Sequence, residues 1–154
     1  MIPAAHLHAV APLLLPVELR SAPLPTVLIG LTILLVEDQS LIAMDVEEML
    51  KELLCEEVMT ASCVSHAVRL IDENIPDLAI LDFNLGDETS EAVADQLALR
   101  SIPFIFATGY RDGTGVPARF ASIPVVHKPI SRDSLSEKLA LVLPIRQQSQ
   151  RHPA

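Results

Sequence analysis

Five polar residues end four short apolar runs, and their types suit one piece of chemistry. Glu37 and Asp38 follow Ile33-Leu34-Leu35-Val36. Asp82 follows Leu78-Ala79-Ile80-Leu81, and Thr108 follows Phe104-Ile105-Phe106-Ala107. Lys128 follows Val125-Val126-His127 and precedes Pro129. Carboxylates brought close together repel and raise one another's pKa. A hard cation relieves that repulsion. Mg2+ takes oxygen ligands, keeps several waters and is often held by one or two carboxylates plus a phosphate. Asp82 could then act as a nucleophile toward phosphorus. Thr108 and Lys128 could hold the equatorial oxygens of the transferring group, which gather negative charge in the transition state. Each residue alone is weak evidence. An Asp at a strand end is usually a cap or turn residue, and Lys before Pro is usually a turn. The joint pattern, with each residue at the same end of its run, is much harder to obtain by chance.

The convergence depends on the elements. Apolar runs of this length and composition read as strands buried on both faces. Helical patterns lie between most of them, so the strands should be parallel and joined by crossovers. A first helix is expected over about residues 40–54, with Ile42, Val46, Met49, Leu50 and Leu53 inward. A short second strand should follow at 57–61. Ser62 is a candidate N-cap for a second helix with Val64, Ala67, Val68 and Ile71 inward. Pro76 should end it. A third helix is expected over 90–100, a short fourth between Val116 and Phe120, and a last one over 131–143, stopped by Pro144. Five strands with five helices predict a flavodoxin-like (βα)5 sandwich of three layers, with parallel strand order 2-1-3-4-5. In that order the first and third strands are neighbours, so Asp38 and Asp82 meet with Glu37 beside them. Ligands in such sheets bind outside the carboxyl ends of the strands. The Gly-rich stretch from Thr108 to Gly115 lacks Gly-Lys-Ser/Thr and is not read as a P-loop.

Bulk properties narrow the function. A chain of 154 residues fits one domain, and 50% hydrophobic with 3% aromatic content gives an aliphatic core. The net charge of −9 argues against nucleic-acid binding, which needs clustered Lys and Arg. The only lysines are Lys51, Lys128 and Lys138. A strand end is an unusual place for a merely solubilising one. Cys55 and Cys63 form no metal-spaced pair and fit two thiols in a reducing cytosol. No apolar stretch reaches the ~18–20 residues of a membrane span, so a cytoplasmic location without membrane contact is expected. Residues 1–31 are apolar and Pro-rich, without the basic start of a secretory signal. They read as a poorly ordered extension, as residues upstream of the true start, or as an arm packed on a partner subunit. The folded domain would then cover 32–143, with a short tail at 144–154.

With these residues in view, the stretch 33–143 resembles the receiver domain of two-component response regulators. The resemblance implies roles. Glu37 and Asp38 match the acidic pair, Asp82 the phosphoacceptor, Thr108 the switch hydroxyl and Lys128 the family's lysine. Asn84, two after the phosphoacceptor, matches the residue whose backbone carbonyl completes a Mg2+ site. Phe106-Ala107-Thr108-Gly109-Tyr110 is similar to a motif of single-domain receivers found chiefly in alphaproteobacteria, which are associated with general stress signalling. The implied function is a stand-alone phosphoacceptor rather than an enzyme. It would be charged by a histidine kinase and would signal to a downstream protein or a histidine phosphotransferase. It could dimerise through the face from the fourth strand to the last helix.

One position departs from the family. Many receivers carry Tyr or Phe three residues before the lysine, and that ring rotates inward on phosphorylation. Here the position is Val125. Tyr110 could supply another aromatic signal, or simply shield the site as a loop tyrosine. His127 should point away from Lys128 and is read as structural. Two other functions compete. The first is a phosphorelay intermediate or phosphate sink. The second is a Mg2+ phosphatase of the haloacid dehalogenase type. That type wants Asp two after its nucleophile and Thr or Val two further on, where this chain has Asn84 and Gly86. A pseudo-receiver, a binding module without phosphorylation, conflicts with the complete acidic set.

Overall fold

Parallel strands with both faces covered are buried along their length, and the three central strands here come close to that, while the edge strands Glu57–Ala61 and Val125–His127 do not. The structure is a computed structural model that describes residues 27–109 and 115–143. The expectations for residues 1–26, Tyr110 and the tail at 144–154 lie outside the described residues. Strands β1 (Thr32–Val36), β2 (Glu57–Ala61), β3 (Leu78–Asp82), β4 (Phe104–Thr108) and β5 (Val125–His127) form one sheet, parallel throughout, in the order β2-β1-β3-β4-β5. The α-helices are α1 (Ser40–Glu52), α2 (Val64–Glu73), α3 (Glu91–Leu99) and α4 (Arg132–Val142). This is the flavodoxin-like arrangement expected from the alternation of runs and helices.

Side-chain alternation sorts the core into two layers. Leu34, Val36, Ala79, Leu81, Phe104 and Phe106 face the side covered by α2 and α3, where Ala67, Ile71, Val93 and Leu97 are buried. Ile33, Leu35, Ile80, Ile105 and Val126 face α1 and α4, where Val46, Leu50, Leu135 and Leu139 are buried. The period of two in each strand makes this division. The chain's four phenylalanines all join the first layer. The Phe83, Phe104 and Phe120 rings all meet Phe106 edge to face, at centroid distances of 5.7, 5.5 and 5.5 Å.

Three expectations are corrected. The structure has four α-helices among the described residues, not five; the short fourth helix is a single 3-10 turn, Ala118–Phe120. Pro117 and Pro124 leave only residues 118–123 between them, too few for two α-helical turns. Phe120 is buried and anchors the turn, while Arg119 reaches Glu91 and Asp95 of α3 and lies 4.5 Å over the Phe120 ring. Secondly, the N-cap of α2 is Cys63 rather than Ser62, and its side chain makes no capping bond.

The third correction concerns the last residues assigned to the N-terminal extension. Leu28 is fully buried and Leu31 nearly so, both in the layer under α1. The Leu28 N–H donates to Leu53 O at 2.7 Å, Glu56 N–H donates to Leu31 O at 2.9 Å, and Ile29 bridges Cys55. The folded body therefore starts before β1. The run from Val27 to Leu31 has no polar side chain and gave no local sign of where packing begins. Leu28→Ala should cost about 2–4 kcal/mol of unfolding free energy in urea titration, as a buried Leu truncation does. A loss below about 0.5 kcal/mol would place Leu28 outside the cooperative core.

Candidate functional site

The sheet's register decides which strand-end residues meet. Val36 is level with Leu81, and Asp82 with Ala107. One residue further, Glu37 is level with Asp82. Thr108 is paired with His127, so Lys128 follows directly beyond the end of β4. The Lys128 N–H donates to Thr108 O at 2.8 Å, and Glu37 N–H donates to Ala61 O at 3.0 Å. The ladder thus extends past the strands and holds both residues by their backbones. The Lys128–Pro129 peptide is cis, and α4 starts soon after, on a reciprocal Ser131–Ser134 cap.

The result is a compact charged cluster. Carboxylate oxygens of Glu37, Asp38 and Asp82 lie within 4.8 Å of one another. Glu37 and Asp82 are each 4% exposed, whereas Asp38 is exposed. The Lys128 ammonium bridges the two buried acids, donating to Asp82 Oδ2 and pairing with Glu37 Oε2, both at 2.9 Å. Glu37 Oε1 also accepts from Gln39 N–H at 3.1 Å. Thr108 is buried at the same edge. Three negative charges against one positive leave the cluster with an excess of negative charge.

The electrostatics follow from burial and this imbalance. Burial pushes the Asp82 carboxyl up to about 6, and the neighbouring Glu37 charge adds to the shift while Lys128 opposes it. For Lys128, burial works against the charge. Hydrogen bonds to Asp82 and Glu37, with their charges, outweigh that and hold its pKa above the ordinary lysine value. Near neutral pH Asp82 is therefore mostly ionised but poorly compensated. The donor set suits a hard divalent cation, because it is all oxygen and its exposed member, Asp38, opens to solvent.

The loop between β3 and α3 lies beside the cluster. Its residue Gly86 has φ +80°, a conformation glycine adopts readily, and a Cβ there would sit 3.7 Å from Asp38 Oδ2. Asn84 pairs with Thr89 in an isolated bridge whose bonds run through the neighbours, Leu85 N–H to Glu88 O and Ser90 N–H to Phe83 O. The structure thus brings Glu37, Asp38, Asp82, Thr108 and Lys128 to one edge, with Asn84 on the adjoining loop. Val125 is half-buried, packed against the phenylalanine layer, and His127 is exposed. Two contacts were not foreseen. One is the Lys128–Glu37 pair, for which the register of β1 and β3 was the available signal. The other is a bond from Val64 N–H to Glu88 Oε1 at 2.8 Å, for which no local pattern exists.

Comparison with known proteins agrees with this arrangement. A family model described as the response regulator receiver domain matches residues 33–140. The phyllosphere-induced regulator PhyR of Methylorubrum extorquens is 30% identical over 125 residues, covering 79% of this chain and 47% of that protein. The chain thus spans about half the length of that relative. The solution structure of SdrG from Sphingomonas melonis Fr1 is 41% identical with a TM-score of 0.63, covering 72% of this chain and 94% of that one. A BeF3-activated conformation of SdrG from Pseudomonas melonis Fr1 is 44% identical with the same TM-score, covering 72% and 95%.

Proposed function

The chain belongs to the response regulator receiver domain family, and from that premise we propose that it accepts a phosphoryl group from a histidine kinase onto Asp82 in a Mg2+-dependent reaction. The observation that carries this reading is the buried Asp82 carboxylate. It sits within 4.8 Å of two further acids and is held by Lys128 at 2.9 Å. Glu37, Asp38, Asp82 and the Asn84 carbonyl would hold the ion. A bound Mg2+ would supply positive charge between the carboxylates and the incoming phosphoryl oxygens. Asp82 attacks the phosphorus of a phosphohistidine. The P–N bond breaks, its electron pair stays with the imidazole, and a carboxylate O–P bond forms. The Lys128 ammonium then turns from the Asp82 oxygen toward the phosphoryl oxygens, and the Thr108 hydroxyl donates to another of them.

Signalling would follow by a change in affinity for a protein partner, either a downstream effector or a histidine phosphotransferase. The face from β4 to α4, with half-buried Val125 and exposed Leu141, is the candidate surface for partners or a homodimer. Nothing in the charge suggests nucleic acid: the net is −9. Among the described residues no helix is long and apolar enough to cross a membrane, which fits a cytoplasmic reading.

The reading is tested with a small phosphodonor such as acetyl phosphate. One phosphoryl group per chain should be incorporated when Mg2+ is present, with slow later release of phosphate. Rapid steady-state phosphate release from unrelated phosphomonoesters would favour the phosphatase alternative instead.

Val125 cannot make a buried-to-exposed ring swap, so the activating change is expected in the segment from Thr108 to the 3-10 turn. Gly109 and Gly115 can change backbone conformation at little cost, and Arg119 is held to α3 by exposed ion pairs worth little individually. A receiver that switches by population shift samples both arrangements when free. Relaxation dispersion should show microsecond–millisecond exchange at Gly109 and residues 115–123, reduced by Mg2+ with beryllofluoride. A rigid segment, unchanged on activation, would support a phosphate sink.

A further inference from the structure

We infer that Glu88 is a positioning residue for the metal-binding edge, acting by capping helix α2 from the neighbouring loop; this rests on the Mg2+ reading above. Helix α2 has no capping bond from its own N-cap residue: the Cys63 Sγ lies 3.4 Å from Ser65 Oγ instead. The first N–H groups of a helix have no partner within it. Glu88 fills that gap across 24 positions of sequence: its Oε1 accepts from Val64 N–H at 2.8 Å. A carboxylate at this end also interacts favourably with the helix dipole.

The bond joins α2 to a loop whose Phe83 and Leu85 are buried in the same core layer and whose remaining residues are mostly exposed. Helix α2 is anchored by the buried Ala67 and Ile71. The loop from Phe83 to Ser90 is held at its ends by Ser90 N–H to Phe83 O, and within by Leu85 N–H to Glu88 O. Between those bonds lie Gly86 and Asn84. Gly86 runs against Asp38, and Asn84 carries the carbonyl assigned to the ion. Glu88 therefore ties the span that contains both to a rigid helix. Without that bond the loop keeps its two internal bonds and the packing of Phe83 and Leu85 in the core but loses its side-chain hydrogen bond to α2.

Glu88→Ala and Glu88→Gln separate this role from a plain charge effect. The Gln amide oxygen can accept the same N–H bond but carries no charge. Mg2+ affinity is read by NMR titration of the full chain, alongside hydrogen exchange at Leu85 and Ser90 in metal-free protein. Glu88→Ala should weaken Mg2+ by about tenfold, as loss of a ligand-orienting contact does, and should speed exchange at both amides. Labelling of that variant by acetyl phosphate should recover at saturating Mg2+. Glu88→Gln should stay within about twofold of wild type in affinity, because the orienting bond survives. Two results would overturn the assignment. One is wild-type affinity in Glu88→Ala, with only thermal stability lowered. The other is Glu88→Gln as weak as Glu88→Ala, which makes charge responsible. A wild-type chain that neither binds Mg2+ nor takes up phosphoryl overturns the underlying reading, and the role of Glu88 with it.

Discussion

Asp82→Asn is expected to abolish Mg2+-dependent phosphoryl incorporation and, at the same time, to stabilise the metal-free protein. The first effect follows because an amide oxygen is a poor nucleophile, and Glu37, the other buried carboxylate paired with Lys128, stands at the end of β1, where the proposed reading has it holding the ion. Labelling at the normal rate in this variant would overturn the assignment. The second effect follows from the carboxyl's raised pKa of about 6, caused first by burial and then by Glu37. A carboxyl whose folded pKa is raised favours folding fully only below its unfolded pKa, near 4. That contribution is lost as pH rises through about 6. Wild type should therefore match the Asn variant near pH 4 and fall behind it between pH 4 and 6. It should remain less stable by about 2 kcal/mol at pH 7.5. Lys128 keeps its Glu37 partner in the variant, so no ammonium is stranded. Urea unfolding across this pH range checks the gap, and adding Mg2+ should narrow it by stabilising wild type more. Equal stabilities at pH 7.5 without metal would show that the Asp82 charge is well compensated.

Lys128→Ala should act in the opposite direction on stability and leave metal binding intact. Removing the ammonium breaks two 2.9 Å pairs and leaves Glu37 and Asp82 facing each other with little solvent access. Breaking a buried pair by removing one partner is costly. With Lys128 partly exposed, a loss of about 2–3 kcal/mol at pH 7.5 without metal is expected. The deficit should shrink as pH falls toward about 6, because without Lys128, which lowers the Asp82 pKa, that carboxyl takes up its proton at higher pH than in wild type and the like-charge contact disappears. Mg2+ affinity should be unchanged or higher, because a competing cation has gone. The fold should persist, and the response to phosphorylation should be lost. Collapse of Mg2+ affinity with a surviving response would refute the role given to Lys128.

Much of the fold was legible because it is written locally. The apolar runs at 33–36, 78–81 and 104–107 show period-independent burial, and a parallel sheet demands that on both faces. The helical faces of α1 and α4 follow from residues such as Val46, Leu50, Leu135 and Leu139 at helical spacing. Composition was a weaker guide near Leu28, where an apolar extension merges into an apolar core. The segment around Phe120 misled for a related reason: an aromatic anchor between prolines fits a 3-10 turn as well as a short helix.

The sequence by itself determined which chemical groups exist at the strand ends, because strand boundaries are set by local hydrophobicity and the polar residue that ends each run. Only the tertiary structure decided how those groups share charge. That Lys128 bridges Glu37 as well as Asp82 depends on the register of β1 against β3 and on the chain path after β5. That Asp82 is shifted upward depends on burial by elements far away in sequence. The Glu88 cap on α2 depends on two loops meeting across the top of the sheet. Hydrophobic periodicity is a property of neighbours along the chain. Distances of a few ångströms between charges are set by packing, and packing couples residues that no local pattern connects.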